Sequence, residues 1–257
     1  MLEPGIREDI HRLWDELTDF DISQTEAATR HLQTRLCHMV GAWNGTWGGA
    51  MRLDAGNHDP LQGWRVAVTQ LLYPIEPYPD EGPFKELQTR WNARDIDPSF
   101  LLPMRHVGRF RTYALRRDLP ADWFEDAFYR AYFQPYGTID AAFVGFPINR
   151  DAESHFGFYS RTAFTERDLA LLAYALRGIK WFHRQAMLTS GPLIAKSPLT
   201  PTERKVLRLL LTQASEKTIA VQLGQAASTT HQHVVSVFRK FAVRSRAELM
   251  SLWLRRP

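Results

Sequence analysis

Near the C-terminus, Ser228, His231, Gln232, Ser236 and Arg239 recur at spacings of three, one, four and three residues. On a helix this spacing sets them toward the outside, while Thr230, Val234, Val237 and Phe241, spaced four, three and four apart, line the opposite face. The chemistry on offer is hydrogen bonding to nucleic acid. An amide such as Gln232 can pair bidentately with the edge of adenine, and a guanidinium such as Arg239 can hold a phosphate or a base. A helix with an apolar back and such a front is suited to the major groove.

The surrounding residues supply the elements that would position this helix, which should run from about 227 to 241. Thr200, Pro201 and Glu203 form a capping box with proline at the first helical position, and Val206, Leu209 and Leu210 continue as an apolar stripe. Ser215 can cap a short second helix carrying Ile219, Ala220 and Leu223, and Gly224 provides its left-handed stop. Ser245 and Glu248 repeat the capping-box spacing for a last helix whose buried side holds Leu249, Leu252 and Trp253. Two helices joined by a tight turn, the second with a polar and basic face, make a helix-turn-helix.

Over 199–249 the chain resembles, without a gap, the LuxR-type helix-turn-helix domain of bacterial transcription regulators. The resemblance rests on Leu199-Thr200-Pro201, Glu203, Val206-Leu207, Ile219-Ala220, Leu223-Gly224, Thr229, His233, Phe238-Arg239-Lys240 and the run Val243 to Leu249. It implies binding to double-stranded operator DNA as a homodimer, with the third helix in the groove. By position it also implies that Lys217, Thr229, His231, Gln232, Ser236, Arg239, Lys240 and Arg244 lie near the DNA. Some positions depart from the family pattern. Gln213 replaces the usual glycine after the first helix, and Ala226 the usual serine cap of the recognition helix, a loss of about 1 kcal/mol. Ala242 stands where glycine normally ends that helix, Thr230 replaces a valine and His231 a lysine. These changes predict a looser reading head with fewer fixed charges, unless they are neutral drift.

Charge follows the same partition. Residues 199–257 hold ten Lys or Arg against three Asp or Glu, a balance of +7, which leaves the preceding 198 residues at −3. A phosphate-contacting module accounts for that asymmetry. With 257 residues and 44% apolar composition, the chain can fill a core in each of two domains. Its single cysteine, Cys37, excludes an internal disulfide and suits a reducing cytoplasm, where a DNA-binding protein would be nucleoid-associated. The acidic N-terminus does not read as a signal peptide, and no run approaches the length of a membrane span, so no membrane partner is expected.

The sequence predicts a domain over 1–188, a linker over 189–198 (TSGPLIAKSP) and the reading domain over 199–257. Before the linker, Thr165 and Asp168 cap a long amphipathic helix whose Leu169, Leu172, Leu176 and Ile179 face one way. That helix could be a dimer seam or could pack only on its own sheet. Upstream, helices are expected at about 4–18 and 23–41, strands at 45–53 and 63–73, a partly helical stretch at 84–93 and a helix near 120–133. Strands at 139–148 and 154–161 read as an antiparallel pair across a polar turn. The fold class is α+β: an N-terminal α/β/α sandwich sensor with an antiparallel sheet, plus a C-terminal all-α four-helix domain. The order resembles GAF/PAS-like sensors, specifically the autoinducer-binding domain of quorum-sensing regulators.

Those regulators place a Trp, a Tyr four residues on, and an Asp-Pro nine residues after the Tyr to hold an acyl-homoserine lactone. Aligned on Asp97-Pro98, the Trp position is Phe84 and the Tyr position Gln88. A pocket built for bonds it can no longer make loses discrimination, so a different ligand, or none, is expected. Candidate ligand contacts are Phe84, Gln88, Trp91, Asp97 and Tyr113, within a region dense in aromatics that also holds Trp43, Trp47, Trp64, Tyr73 and Trp123. His31, Cys37 and His38 are a sparse metal set, of a kind that more often marks a partly buried helix. No metal or cofactor is expected.

The expected function is transcription regulation, with the N-terminal domain sensing a small molecule or a partner and no catalytic residue assigned. A phosphorylation-switched receiver would need an early acid pair beside an apolar strand, which the first 40 residues lack. The competing classes are a DNA-binding scaffold regulated by protein contact without ligand, and an enzyme domain fused to a DNA-binding head.

Overall fold

The computed structural model of the chain describes residues 2–53, 58–72, 82–191 and 199–254. It divides into two compact units, residues 1–17 with 30–180 and residues 18–29 with 181–257.

Helices α1 (Pro4–Thr18) and α2 (Thr25–Val40) precede strands β1 (Ala42–Arg52) and β2 (Trp64–Leu71), helix α3 (Gly82–Ala93) and the single turn α4 (Pro98–Leu101). Strand β3 (Arg111–Ala114), α5 (Leu115–Asp118), α6 (Ala127–Tyr132), the hairpin β4 (Asp140–Asn149) and β5 (Ala152–Ser160), and α7 (Glu166–Arg177) complete the first unit. Its strands form one antiparallel sheet in the order β2-β1-β5-β4-β3.

Strand side chains alternate between faces. β5 therefore sends Phe156 and Phe158, both fully buried, one way and Glu153, His155, Gly157 and Tyr159 the other. Opposed residues share a face, so Gly48, His155, Gly145 and Arg111 form a row across four strands, with Thr46, Gly157, Phe143 and Tyr113 as the next row. On the Phe158 side α2 approaches β1 closely, since a Cβ on Gly45 would lie 3.2 Å from Cys37 Sγ. α7 contacts β3 and β4, and α1 joins it where Trp14 Nε1 donates to the Ala175 carbonyl at 2.8 Å. On the other face an aromatic layer containing Trp91, Phe100, Trp123, Phe128 and Phe133 packs against Tyr159 and Phe143. The result is an α/β/α sandwich.

Two expectations need correction. The long amphipathic helix expected after Thr165 is divided: α7 ends at Arg177, and α8 (Lys180–Thr189) begins after Gly178-Ile179. The glycine is needed because an added Cβ there would come within 2.4 Å of the Trp14 indole, and glycine weakens a helix. The helix expected near 120–133 is a 3-10 turn at Ala121–Glu125, then α6, because Asp126 caps a fresh start by accepting from the Phe128 N–H. Strand β3 was not expected at all.

The second unit contains α8, the 3-10 turn Ile22–Gln24, and four helices: α9 (Pro201–Leu210), α10 (Glu216–Leu223), α11 (Ala227–Phe241) and α12 (Arg246–Leu254). Val206, Leu207, Leu210, Ile219, Val234, Val237, Phe241 and Leu249 form its core, with Ile22 packed against it. Arg208 of α9 pairs with Glu26 at 2.7 Å. The Arg246 guanidinium donates to the Leu210, Thr212 and Ala214 carbonyls, placing positive charge at the C-terminal end of α9, where the helix dipole favours it. Most of the expected linker, residues 192–198, lies outside the described residues, as do Tyr73 and the rest of the proline-rich 73–81.

Gly178 has φ −70°, which alanine tolerates, so relief of chain entropy alone would make Gly178→Ala stabilising. The overlap with Trp14 reverses the sign, and the variant should unfold about 1–3 kcal/mol more easily in urea. A gain in stability would show that Trp14 yields without cost.

Candidate functional site

Two surfaces carry recognition chemistry, one in each unit. In the second unit, Gly224 at φ 62° ends α10 in the left-handed conformation, and α11 starts within three residues. Thr230, Val234, Val237 and Phe241 are all buried. Lys217, Thr229, His231, Gln232, Arg239 and Arg244 are exposed, and the His231 ring lies 3.0 Å from Glu216.

Ser236 and Lys240 are different. Both turn toward α9, where Ser236 Oγ and Lys240 Nζ each lie 2.7 Å from the Glu203 carboxylate. The same carboxylate accepts the Thr200 N–H at 2.7 Å, which closes the capping box of α9. Burial opposes the charge on Glu203, but Lys240, Ser236 and the Thr200 N–H outweigh it and hold the pKa down at about 2. Ser236 was expected on the outer face; it serves instead to join α9 to α11.

The first unit holds a cavity of about 220 Å³ between the sheet and the aromatic layer, with Trp64, Trp91, Phe100, Phe128 and Phe143 among its walls. One end of its floor is charged. Arg111 and Glu153, at 5% and 1% exposure, form a two-point pair at 2.9 and 2.7 Å. Glu153 also accepts the Gly108 N–H at 2.7 Å and lies 3.0 Å from His155 Nε2. Burial works against the Glu153 charge, yet the bonds from His155 and Arg111 bring its pKa down to about 2. Gly145 makes room for this group, because a Cβ there would sit 2.9 Å from the Arg111 guanidinium and 3.2 Å from the His155 ring.

Of the candidate ligand contacts, Gln88, Trp91 and Tyr113 line the cavity. Gln88 Nε2 donates to the Val66 carbonyl at 3.1 Å and Trp91 Nε1 to that of Trp64 at 3.2 Å, so both amide and indole also pin α3 to β2. Tyr113 stacks on Phe143 with ring centroids 5.0 Å apart. Asp97 is not among the lining residues. Its buried carboxylate accepts from the Ser99 N–H at 2.8 Å and from Trp123 Nε1 at 3.1 Å, capping α4. The Phe84 side chain lies outside the described residues. Arg111, Glu153 and His155 were missed, although Glu153 and His155 stand two apart in an alternating strand, where two polar side chains on one face invite a partner. His31 Nε2 lies 2.7 Å from Glu16, and burial pushes the Cys37 thiol up to about 12.

Residues 197–253 match the family model described as bacterial regulatory proteins, luxR family, so the C-terminal segment is a luxR-family helix-turn-helix domain. No curated protein matches the chain. Among solved structures, SdiA in complex with octanoyl-rac-glycerol is similar at a TM-score of 0.50 and 14% identity, covering 97% of this chain and 95% of that one. The VqsR LBD domain from Pseudomonas aeruginosa gives a TM-score of 0.47 and 15% identity over 72% of this chain and 98% of that one. The likeness to SdiA is one of fold.

The reading head allows two tests. Ala242 ends α11 at φ 55°, where a Cβ is unfavourable, so Ala242→Gly should stabilise the protein by about 1 kcal/mol in urea unfolding. The second is acid sensitivity. Because the folded pKa of Glu203 lies below its ordinary 4.5, its contribution is complete above pH 4.5 and is lost as the pH falls toward 2. Glu203→Gln should flatten the loss of stability across that window; an unchanged acid limb would show that the carboxylate is not held in this way.

Proposed function

We propose that the chain is a DNA-binding transcription regulator that acts as a homodimer on operator DNA in the cytoplasm. Its reading domain is 199–257, and residues 1–188 form a sensor for a small, largely apolar molecule that is not a standard acyl-homoserine lactone. The observation that carries the first part is the front of α11, where Gln232 and Arg239 stand exposed over a closed four-helix core within the luxR-family match. The sensor reading is supported by the cavity and its aromatic walls. Against a lactone stand Gln88, whose amide is committed to β2, and Asp97, whose carboxylate caps α4 and holds Trp123. Asp97 does not line the cavity, and Gln88, which does, has already given one amide N–H to the Val66 carbonyl.

The test is a salt titration of binding to operator and to random DNA. If Arg239 meets phosphate, Arg239→Ala should weaken binding to both DNAs and reduce the slope of log affinity against log salt by about 1. Gln232→Ala should instead lose about 1–3 kcal/mol at one operator position, with no change in slope. Unchanged binding by both variants would remove this face from the groove. For the sensor, thermal unfolding should shift upward with octanoyl-rac-glycerol, the molecule in the SdiA complex, more than with octanoyl-homoserine lactone, since a ligand that binds only the folded state stabilises it.

A further inference from the structure

The charged end of the cavity floor is nearly saturated internally. A carboxylate offers about four lone-pair sites, and Glu153 meets four donors: the Gly108 N–H, Nη1 and Nη2 of Arg111, and His155 Nε2. An ionised carboxylate can only accept, so Nε2 must carry the ring proton. In the uncharged imidazole the remaining nitrogen, Nδ1, is then an acceptor, and it has no hydrogen-bond partner among the described residues. Arg111 keeps two N–H donors without a partner among the described residues: Nε–H, which is fully covered, and the second hydrogen of Nη2. Tyr113, in the next row of the same sheet face, also lines the cavity, and its hydroxyl has no hydrogen-bond partner among the described residues.

We propose that His155 is the polar recognition point of the cavity and that it selects an uncharged, flat, apolar molecule bearing a hydroxyl, a phenol, whose O–H donates to Nδ1. This rests on the reading of the cavity as a ligand site and names the class of ligand. Glu153 and Arg111 are positioning residues that fix which ring nitrogen accepts. The pair neutralises itself, so the floor offers no net charge to attract an anion. A flat ring suits walls made of Trp64, Trp91, Phe100 and Phe143, because aromatic rings pack best by offset stacking and edge-to-face contact. The volume of about 220 Å³ exceeds the ~150 Å³ that suffices for benzene in an engineered apolar cavity. A hydroxyl can donate to His155 Nδ1, which a carbonyl or an ether cannot do.

The experiment uses three probes of nearly one shape: 4-propylphenol, 4-propylanisole, which keeps the oxygen and loses the proton, and 4-propyltoluene, which loses both. Calorimetry on the full chain should give the phenol about tenfold tighter binding than either of the others. In His155→Phe that preference should vanish while toluene binding survives. If the variant does not fold, the native protein still decides the matter, because the ¹⁵N resonance of His155 Nδ1 should move with the phenol and stay still with the anisole. Equal binding of all three probes by the native protein, or a preference that persists in His155→Phe, would overturn the role of His155 and leave the cavity a ligand site. Binding of none of them would overturn the phenol as the class of ligand, whereas the sensor reading itself falls only if octanoyl-rac-glycerol also leaves thermal unfolding unmoved.

Discussion

The first unit depends on the burial of one ion pair. Arg111 and Glu153 lie almost wholly out of water, where each charge costs several kcal/mol in lost solvation, and mutual attraction offsets that only with good geometry and further hydrogen bonds. The fold supplies both. Two guanidinium bonds, the Gly108 N–H and the His155 ring surround the carboxylate, while the Arg109 carbonyl takes a further bond from Arg111 Nη1. The consequences spread outward. The pair spans β4 to tie edge strand β3 to β5, which forces glycine at 145, and the Gly108 contact anchors the chain entering β3. A four-residue strand with little apolar surface of its own is thereby held in the sheet.

A similar device organises the second unit. Glu203 combines the helix cap of α9 with Ser236 and Lys240 of α11, so one buried carboxylate sets both where α9 begins and how α11 lies on it. Arg246 does the corresponding work at the other end of α9. With both ends of α9 fixed by charge, the head can tolerate the uncapped start of α11 at Ala226 and its strained end at Ala242. Each of those is a local fault of about 1 kcal/mol, smaller than what breaking a buried ion pair costs.

What was legible in the sequence is what short range determines. The capping boxes at Thr165-Asp168 and Thr200-Glu203 form as their spacing predicts, the Thr230 to Phe241 stripe is buried, and β4 and β5 pair as a hairpin. What was not legible depends on partners distant in the chain. Nothing in RTYA identifies a strand without Glu153, 42 residues away, and the helix break at Gly178 needs the Trp14 ring, whose place α1 decides. For the same reason Ser236 and Lys240, whose spacing or family position put them at the DNA, turn out to face Glu203.

That redistribution of charge bears on how the head can bind. The reading segment counts ten basic residues, but several are engaged: Lys240 on Glu203, Arg208 on Glu26, Arg246 on three carbonyls and Arg204 on that of Leu199. Among the described residues of the segment, Lys205, Lys217, Arg239 and Arg244 are the cations whose side chains have neither an ion pair nor a bond to a backbone carbonyl. The four counted among the described residues can release about four counterions, and the affinity that buys at cellular salt is the weak, non-specific kind. Two linked heads double the count and convert the second contact into an intramolecular event, which raises affinity without any new chemistry in either head. The limited free charge among the described residues of one head is therefore a physical argument in favour of the proposed homodimer.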